Sequence, residues 1–247
     1  MEIGGRSVMI TGGCGGIGLE MGRKFAAAGK EVLLVDAKID AGMALAQENP
    51  AISCIQCDLS SAQDIEHKLA GKSIDILINN VGISPKFDAA GQRVKTWTMT
   101  LDQWNAVMAT NVTSFFLCTR LCLPGMMARK FGRIVNIASY AARIGGYQAA
   151  VHYTTSKAAV LGFTKSLARE VAPYGILVNA INPGRIETPM TRDVPKEVSE
   201  GLIPQIPCGR LGVPKDIANV ALFLCSDLAD YMTGTAIEVN GGLYVGP

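Results

Sequence analysis

The chain has 247 residues, of which 49% are hydrophobic and 18% are charged, and 23 basic against 21 acidic side chains give a formal net charge of +2. This composition excludes a disordered chain, and the near-neutral charge gives no basis for a nucleic-acid partner. No uninterrupted apolar run approaches the roughly 18 residues of a membrane helix. The first ten residues lack the apolar core of a signal peptide, so we expect a cytoplasmic protein without a membrane partner.

Seven short apolar segments predict β-strands, and amphipathic helical patterns lie between them. Most segments are continuous apolar runs, which is typical of parallel strands covered on both faces. The segments are SVMIT from Ser7, EVLLVD from Glu31, SCIQCD from Ser53, IDILINN from Ile74, RIVNIAS from Arg133, LVNAINPG from Leu177 and AIEVNGG from Ala236. The helical patterns include Ile17–Ala28, Leu101–Lys130, Tyr153–Ala172 and Pro214–Ser226. We predict an α/β fold with one domain over residues 1–247: a doubly wound sheet of seven mostly parallel strands with helices on both faces.

A glycine-rich turn, TGGCGGIG, begins at Thr11 between the first strand and the first helix. Glycine lets the backbone approach a pyrophosphate closely, and a helix N-terminus offers free amide donors and a favourable dipole. Asp36 ends the second strand at the spacing expected of an acid that bonds the adenosine ribose and repels a 2′-phosphate. The sequence therefore predicts a Rossmann-type dinucleotide site that prefers NAD. Lys38 keeps NADP open as the alternative, and the other interpretation of Asp36 is an ordinary turn acid.

Cys54 and Cys57 form a C-x-x-C pattern in the third predicted strand. Residues three apart on a strand point to opposite faces of the sheet. We therefore expect no shared metal or redox site there and predict no metal in the protein. The seven cysteines are interpreted as free thiols in a reducing compartment.

Two long connections, residues 83–100 and 185–213, follow the fourth and sixth predicted strands. Both leave the carboxyl ends of strands, where ligands bind in open α/β sheets, and long loops in compact domains are often functional. We therefore expect both to be substrate loops. Hydrophobic residues favour packed segments over disordered insertions, and these are Trp97, Met99, Ile203 and Ile206.

Tyr153 and Lys157 lie four residues apart in a predicted helix, which places them about 6 Å apart along one face. An ammonium so close favours the phenolate form of tyrosine, and a positively charged nicotinamide ring would add to this effect. Tyr153 is therefore a candidate general acid/base. Ser139 ends the fifth predicted strand at the same rim and can hydrogen-bond a substrate oxygen. Taken singly, each of these residues is more often structural than catalytic.

Together these motifs resemble the short-chain dehydrogenase/reductase family. The resemblance rests on the spacing T-G-x-x-x-G-x-G, the segment Asn79-Asn80-Val81-Gly82, the run ATNVTSFF around Asn111, and the order of Ser139, Tyr153 and Lys157. It implies hydride transfer between a nicotinamide nucleotide and a secondary alcohol or ketone. It also implies a catalytic set of Asn111, Ser139, Tyr153 and Lys157, in which Asn111 holds a water that links Lys157 to solvent.

The resemblance further implies the cofactor contacts. Asp58 is expected to meet the adenine, and the segment NPGRIETPM from Asn182 is expected to pack on the nicotinamide. Asn79 and Asn80 have strand-end capping as their alternative role. The predicted contacts are Gly12, Cys14, Gly15, Gly16, Ile17, Gly18, Asp36, Asp58, Leu59, Asn80, Val81, Gly82, Tyr153, Lys157, Pro183, Gly184, Ile186 and Thr188.

We therefore predict an NAD(H)-dependent oxidoreductase with a small-molecule alcohol or carbonyl substrate. A 3-oxoacyl-thioester reductase is the alternative within the same class, and a non-catalytic nucleotide-binding sensor is the alternative outside it. The resemblance implies a homotetramer, and the apolar residues on more than one side of the Tyr153 helix agree with it. His152 is expected in the pocket wall or at an interface.

Overall fold

The structure, a computed structural model, describes residues 1–88, 90–146, 149–188, 201 and 203–246. Its centre is a sheet of seven parallel strands in the order β3-β2-β1-β4-β5-β6-β7. The strands are β1 (Ser7–Thr11), β2 (Glu31–Asp36), β3 (Ile52–Gln56), β4 (Ile76–Asn79), β5 (Gly132–Ile137), β6 (Ile176–Pro183) and β7 (Ala236–Val239). The predicted fold is confirmed, and the sheet is wholly rather than mostly parallel. The order of the strands reverses between β1 and β4, which is where a ligand crevice is expected in such a sheet.

Helices cover both faces of this sheet. Those within the described residues are α1 (Gly16–Ala27), α2 (Asp40–Glu48), α3 (Ala62–Leu69), α4 (Leu101–Met108), α5 (Ser114–Arg129), α6 (Ala141–Ile144), α7 (Val151–Val171) and α8 (Pro214–Leu224). A π-helical turn, Ala109–Thr113, joins α4 to α5, and short 3₁₀ turns occur at Ala172–Tyr174, Ile203–Gln205 and Asp227–Ala229. The helix predicted over Leu101–Lys130 is thus divided in two by the π-helical turn.

The core lies on both faces of the sheet, which explains why the strands are continuous apolar runs. Val8 and Ile10 of β1 pack in one cluster with α1 and α8. Met9, between them in sequence, packs in the other cluster with α3, α5 and α7. Because successive side chains point to opposite faces, a strand with no polar face must be covered on both.

One helical stretch, Leu101–Arg129, is long and apolar enough to cross a membrane, but half of its most apolar window is buried inside the fold. Cys118, Cys122 and Met126 on this stretch belong to a core cluster with β4 and β5. Its apolar character is therefore explained by packing against the sheet.

The first predicted loop, residues 83–100, is a folded segment over its described part. Phe87 and Arg93 form an antiparallel bridge, and the Val94 N–H donates to the Lys86 carbonyl at 2.9 Å. Val94 is buried, whereas Trp97 is 83% exposed, so Trp97 itself does not take part in the packing of this segment.

The second predicted loop, residues 185–213, lies partly outside the described residues. Its two ends are joined, because Ile186 and Gly212 form a parallel bridge. Ile206 is buried, as its hydrophobic character predicts.

Candidate active site

A cavity of about 440 Å³ lies at the carboxyl ends of the central strands. This volume falls in the range of small-molecule and cofactor sites. Most of the predicted site residues line it, namely Gly12, Gly15, Gly16, Ile17, Gly18, Asp36, Asp58, Leu59, Asn80, Val81, Gly82, Ser139, Tyr153, Lys157, Pro183, Gly184, Ile186 and Thr188. Cys14 and Asn111 are the two predicted residues that do not.

The glycine-rich turn has a backbone shape that side chains would prevent. Gly12 has a φ of +60°, and a Cβ atom there would lie 2.8 Å from the Val81 Cα. A Cβ on Gly18 would collide with the Gly12 carbonyl oxygen. A Cβ atom on Gly15, by contrast, would lie 3.6 Å from the same oxygen, which is an ordinary contact distance. Packing therefore does not require glycine at this position, and the absence of a side chain leaves the cavity open.

Helix α1 begins at this turn without a side-chain cap. Gly15 occupies the N-cap position, and the first turn contains no acidic residue. Among the described residues, no side chain accepts from the backbone N–H groups of this first turn, which lies at the cavity. Such a terminus suits an anion, so this cradle fits the pyrophosphate of a dinucleotide.

Asp36 is held at the cavity edge by two backbone groups. Its Oδ2 atom accepts from the Cys14 N–H at 3.1 Å, and its Oδ1 atom accepts from the Lys38 N–H at 3.3 Å. The Lys38 side chain is exposed and does not line the cavity. The carboxylate thus reaches the cavity with no basic side chain beside it among the lining residues, which fits ribose hydroxyls better than a 2′-phosphate.

Cys14 turns away from the cavity, which corrects its predicted role as a lining residue. Its sulfur lies beside Cys54 and Gly42. Its backbone N–H donates to the Asp36 carboxylate. Burial, reinforced by the Asp36 charge, raises the pKa of the Cys14 thiol to about 12. Cys57 belongs to the core cluster on the other face of the sheet, so Cys54 and Cys57 point apart as their spacing predicts.

Asn79 and Asn80 connect the end of β4 to its surroundings in different ways. Asn79 is fully buried and donates to Thr119 Oγ1 and Asn136 Oδ1 at 3.2 and 2.9 Å. The Asn80 side-chain amide donates to the carbonyls of Thr11 and Gly12 at 3.1 and 2.9 Å. Asn79 is therefore a structural residue, whereas Asn80 both shapes the glycine-rich turn and lines the cavity.

Ser139, Tyr153 and Lys157 meet at one end of the cavity. The Ser139 hydroxyl hydrogen-bonds the phenol of Tyr153 and accepts from the Ala141 N–H at 3.1 Å. Lys157 Nζ donates to the Ile137 carbonyl at 2.8 Å and lies 5.9 Å from the centroid of the Tyr153 ring. The ammonium is thus fixed beside the tyrosine, as the spacing on the helix predicts.

The titration of this pair differs from the sequence-based expectation. Burial raises the pKa of Tyr153, and the hydrogen bond from Ser139 offsets only part of that effect. Burial also lowers the pKa of Lys157 to about 8. Within the protein's own groups, burial therefore opposes the phenolate form that the neighbouring ammonium favours. Desolvation disfavours both charged forms, so the phenol is kept protonated and suited to donate.

Asn111 lies in the π-helical turn, is fully buried, and does not line the cavity. Its Oδ1 atom accepts from the Ile83 N–H at 2.8 Å, and its Nδ2 atom donates to the Ile83 carbonyl at 3.0 Å. The second Nδ2 proton is donated to Ser156 Oγ at 3.0 Å. Both donors of the amide are used, so only an acceptor position on Oδ1 remains for the water that the resemblance implies.

The partners of Asn111 are residues that the sequence analysis missed. Ile83 begins the first loop and lines the cavity, and Ser156 in α7 donates to the Tyr153 carbonyl at 2.7 Å. Asn111 therefore joins the base of the loop to the helix that carries Tyr153. Neither Ile83 nor Ser156 has a sequence signal, because the contact depends on how α4, α5 and α7 pack.

The segment after β6 closes the far side of the cavity. A Cβ on Gly184 would lie 2.6 Å from the Asn240 Cα, so the backbone there needs glycine. The Gly184 N–H donates to the Val239 carbonyl at 2.9 Å. This packing holds Pro183, Ile186 and Thr188 along the cavity wall.

His152 is buried inside the fold and does not line the cavity, so the expected pocket-wall role is wrong. Its Nδ1 atom accepts from the Tyr153 N–H at 2.7 Å. Burial lowers its pKa, so the ring supports the start of α7 in its neutral form.

Comparisons with known proteins agree with this geometry. A family model described as enoyl-(acyl carrier protein) reductase, adh_short_C2, matches residues 12–244. The 3-oxoacyl-(acyl-carrier-protein) reductase of Aquifex aeolicus is 38% identical and matches 99% of this chain and 99% of that protein. The acetoacetyl-CoA reductase of Shinella zoogloeoides is 42% identical, over 97% of this chain and 98% of that protein.

A crystal structure of a 3-oxoacyl-(acyl-carrier protein) reductase from Brucella melitensis with bound NAD has a TM-score of 0.89 to this chain. It is 35% identical, and the match covers 98% of this chain and 92% of that one. The chain therefore belongs to the short-chain dehydrogenase/reductase family, and it is an oxidoreductase that acts on CH–OH and C=O groups.

Proposed function

We propose that this member of the short-chain dehydrogenase/reductase family reduces the ketone of a 3-oxoacyl thioester with NADH, and oxidises the corresponding alcohol with NAD in reverse. The observation that carries the proposal is the meeting of Ser139, Tyr153 and Lys157 at one end of a cavity whose other end carries Asp36. The choice of a thioester substrate is supported by the names of two relatives, the 3-oxoacyl-(acyl-carrier-protein) reductase from Aquifex and the acetoacetyl-CoA reductase from Shinella.

The catalytic set has four members with different roles in this reaction, three of them at the cavity wall and Asn111 behind it. Bound NADH supplies the hydride to the carbonyl carbon. Tyr153 donates its phenolic proton to the carbonyl oxygen, and Ser139 hydrogen-bonds the same oxygen while it acquires negative charge. Lys157 stabilises the phenolate that remains, and Asn111 positions α7 and the first loop. The sum is a ketone, NADH and a proton converted to an alcohol and NAD.

The preference for NAD is supported by the adenosine end of the cavity. Asp36 faces the cavity, Lys38 points into solvent, and the glycine-rich turn carries no basic residue. A 2′-phosphate beside the Asp36 carboxylate would be repelled, whereas ribose hydroxyls would donate to it. The Brucella relative with bound NAD agrees with this preference.

A cytoplasmic location and a small-molecule substrate complete the proposal. All seven cysteines are free, including Cys118 and Cys122, which lie one helical turn apart on α5. Unpaired thiols of this kind are typical of a reducing compartment.

Steady-state reduction of acetoacetyl-CoA tests the proposal, with NADH and NADPH compared at the same concentrations. We expect the enzyme to reduce the ketone of acetoacetyl-CoA with NADH. The kcat/KM for NADH should be higher than that for NADPH. A higher kcat/KM for NADPH would contradict the role given to Asp36. Turnover on simple ketones but not on thioesters would contradict the substrate class. Binding of NADH without turnover on any ketone would favour the non-catalytic sensor.

A further inference from the structure

Glu238 of β7 carries a carboxylate that three other parts of the chain bind. Its Oε1 atom accepts from Arg143 Nε at 2.9 Å and from Asn182 Nδ2 at 2.6 Å, and its Oε2 atom accepts from Asn240 Nδ2 at 3.3 Å. The Arg143 and Glu238 side chains are only 21% and 23% exposed. None of these four residues lines the cavity, so the carboxylate holds parts of the protein together rather than touching a cofactor or substrate there.

The two asparagines fix the position of this carboxylate. Asn182 is fully buried, and its amide nitrogen donates to Glu238, whereas no described residue donates to its Oδ1 atom. Asn240 is also buried, and its Cα packs against Gly184. Turning the carboxylate away would leave the buried Asn182 amide without a partner, which is unfavourable. The carboxylate therefore offers Arg143 a partner at a fixed place.

Arg143 connects this fixed carboxylate to the turn that follows β5. It lies on α6, which spans Ala141–Ile144 and begins two residues after Ser139. A helix of four residues has little stability of its own and depends on tertiary contacts. The ion pair between Arg143 and Glu238 supplies such a contact, because it ties α6 to the edge strand of the sheet.

Helix α6 in turn orients the hydroxyl of Ser139. The Ser139 Oγ atom accepts from the Ala141 N–H at 3.1 Å, and the Ser139 carbonyl accepts from the Ala142 N–H at 3.0 Å. The same hydroxyl hydrogen-bonds the phenol of Tyr153. A displacement of α6 would therefore move the Ser139 hydroxyl relative to Tyr153.

We propose that Glu238 is a positioning residue for the reduction of the ketone: through Arg143 and α6, its carboxylate holds the Ser139 hydroxyl in place beside Tyr153. This inference rests on the role proposed for Ser139 in the reaction. A misplacement of about 1 Å, caused by a substitution far from the chemistry, can reduce the rate about 10²-fold. An ion pair outside the cavity can therefore control kcat, while KM changes less because Glu238 does not touch the substrate.

A double-mutant cycle tests whether Glu238 acts through Ser139. In the wild-type background, Glu238→Ala should lower kcat for acetoacetyl-CoA about tenfold or more, with a smaller change in KM. In the Ser139→Ala background the hydroxyl is already absent, so the same substitution should lower kcat less than about twofold. Equal losses of kcat in the two backgrounds would overturn the proposal.

Variants of Arg143 test the path between the two residues. Arg143→Met removes the cation and the donor, so it should lower kcat as much as Glu238→Ala does. Arg143→Lys keeps a cation and Glu238→Gln keeps an oxygen acceptor, so both should retain more of kcat than the variants that remove these groups. If Arg143→Met kept the kcat of wild type, Glu238 would not act through α6 and the proposal would fail.

The pH profile of the reverse reaction distinguishes positioning from a general loss of stability. Burial raises the pKa of Tyr153, and the hydrogen bond from Ser139 offsets part of that effect. Alcohol oxidation needs the phenolate, so loss of this hydrogen bond should shift the pH profile of kcat to higher pH. We expect the shift in both Ser139→Ala and Glu238→Ala. A shift in Ser139→Ala alone would contradict the proposal.

Asp75 provides the matched control, since it is a partly buried carboxylate at the opposite edge of the sheet. Its side chain is 14% exposed and pairs with Arg129 at 2.9 Å, and it accepts from the N–H groups of Arg6 and Ser7 at 2.7 and 3.2 Å. Asp75→Asn should lower the urea midpoint but keep kcat and its pH profile. A loss of kcat equal to that of Glu238→Ala would show that any weakened ion pair has this effect, and would overturn the proposal.

A second ketone separates this inference from the proposed substrate class. Ethyl acetoacetate carries the same ketone as acetoacetyl-CoA but no thioester, and the cycle of Glu238→Ala and Ser139→Ala is measured with both compounds. A non-additive cycle on ethyl acetoacetate without turnover of acetoacetyl-CoA would keep the role of Glu238 and reject the thioester substrate. Turnover of acetoacetyl-CoA with an additive cycle would keep the proposed function and reject the role of Glu238.

Discussion

In the proposed mechanism, the Tyr153 hydroxyl supplies the proton that the reaction needs. Its phenol touches the Ser139 hydroxyl, and its ring faces the Lys157 ammonium at 5.9 Å. Tyr153→Phe keeps the ring and removes only the hydroxyl group. We expect kcat to fall about 10²–10⁴-fold, the usual contribution of a general acid, with little change in the Kd of NAD. Stopped-flow turnover and a binding titration measure the two quantities, and a variant that kept more than about a tenth of kcat would remove Tyr153 from this role.

Asp36 allows a test of cofactor preference. Its carboxylate accepts a hydrogen bond from the glycine-rich turn and is also proposed to bind the ribose. Asp36→Asn keeps an oxygen that can accept from the Cys14 N–H, now 3.1 Å from Oδ2, but removes the charge. We expect weaker NAD binding, since a charge-assisted hydrogen bond to ribose becomes a neutral one, and stronger NADP binding, since the repulsion is lost. Fluorescence titration with both nucleotides measures the ratio of the Kd for NADP to the Kd for NAD. A ratio equal to that of wild type would show that another residue sets the preference.

Lys157 gives the folded protein a pH dependence that can be observed without a substrate. Burial lowers its pKa to about 8 from an ordinary value of 10.5. Between these two pKa values the unfolded chain binds more protons than the folded one, so the free energy of unfolding rises with pH across this window. Below the window, the full cost of burying the charged lysine lowers the free energy of unfolding. Lys157→Met removes this pH-dependent contribution to stability. We expect the stability of wild type relative to Lys157→Met to increase by an amount on the order of a few kcal/mol across the window. Urea unfolding at a series of pH values measures it, and a flat difference would contradict the burial of a charged lysine.

At the scale of elements, the π-helical turn Ala109–Thr113 positions the first loop. The Asn111 amide pairs with both backbone groups of Ile83 and with Ser156. Asn111→Ala would remove all three hydrogen bonds, of which the bond to Ser156 is buried and the two to Ile83 are partly buried. A buried polar group left without a partner costs about 1–3 kcal/mol. We expect a lower urea midpoint and a raised KM for the ketone, because Ile83 lines the cavity.

Ser156→Ala serves as the matched variant for Asn111→Ala. It removes one of the three hydrogen bonds of the amide but leaves Ile83 clamped. We expect a smaller loss of stability and a KM near that of wild type. An equal rise in KM in both variants would contradict the assignment of Asn111 as the clamp of the loop.

Some features of these elements were predictable from the sequence, and others were not. The strands and the glycine-rich turn were predictable because continuous apolar runs and closely spaced glycines are local signals in the sequence. Asn111 was identifiable as an irregularity, since asparagine is a poor residue for a helix interior. Its partners were not, because Ile83 and Ser156 become its neighbours only through packing. The direction of the Cys14 side chain was not predictable either, because residue type does not determine where a side chain points in a turn.

In the molecule as a whole, helix α7 has an outer face that none of the described residues covers. Val151 is 40% exposed, and Thr155, Ala158 and Gly162 continue the same face toward solvent. No atom lies within 4 Å of a Cβ built on Gly162. Phe116 on α5 is 47% exposed. Small and apolar residues on an exposed helix face allow a partner helix to approach closely.

We expect a homotetramer built partly on this face of α7, since closed two-fold interfaces are the rule for such assemblies. The mass by light scattering should be four times the chain mass of 26.1 kDa, 4 × 26.1 = 104.4 kDa. Ala158→Glu places a charge in the contact and should reduce the mass, whereas Lys165→Glu, at an already polar exposed position, should reduce it less. A wild-type monomer at micromolar concentration would contradict this prediction.

Label transfer tests whether a hydride passes from NADH to the carbonyl carbon of a thioester ketone in this cavity. Acetoacetyl-CoA is reduced, in ordinary water, with NADH that carries deuterium in place of both hydrogens on C4 of the nicotinamide. We expect a 3-hydroxyacyl product with one deuterium on its carbinol carbon and none elsewhere, which mass spectrometry and NMR locate. A product without deuterium on that carbon, or no reduced product at all, would contradict it.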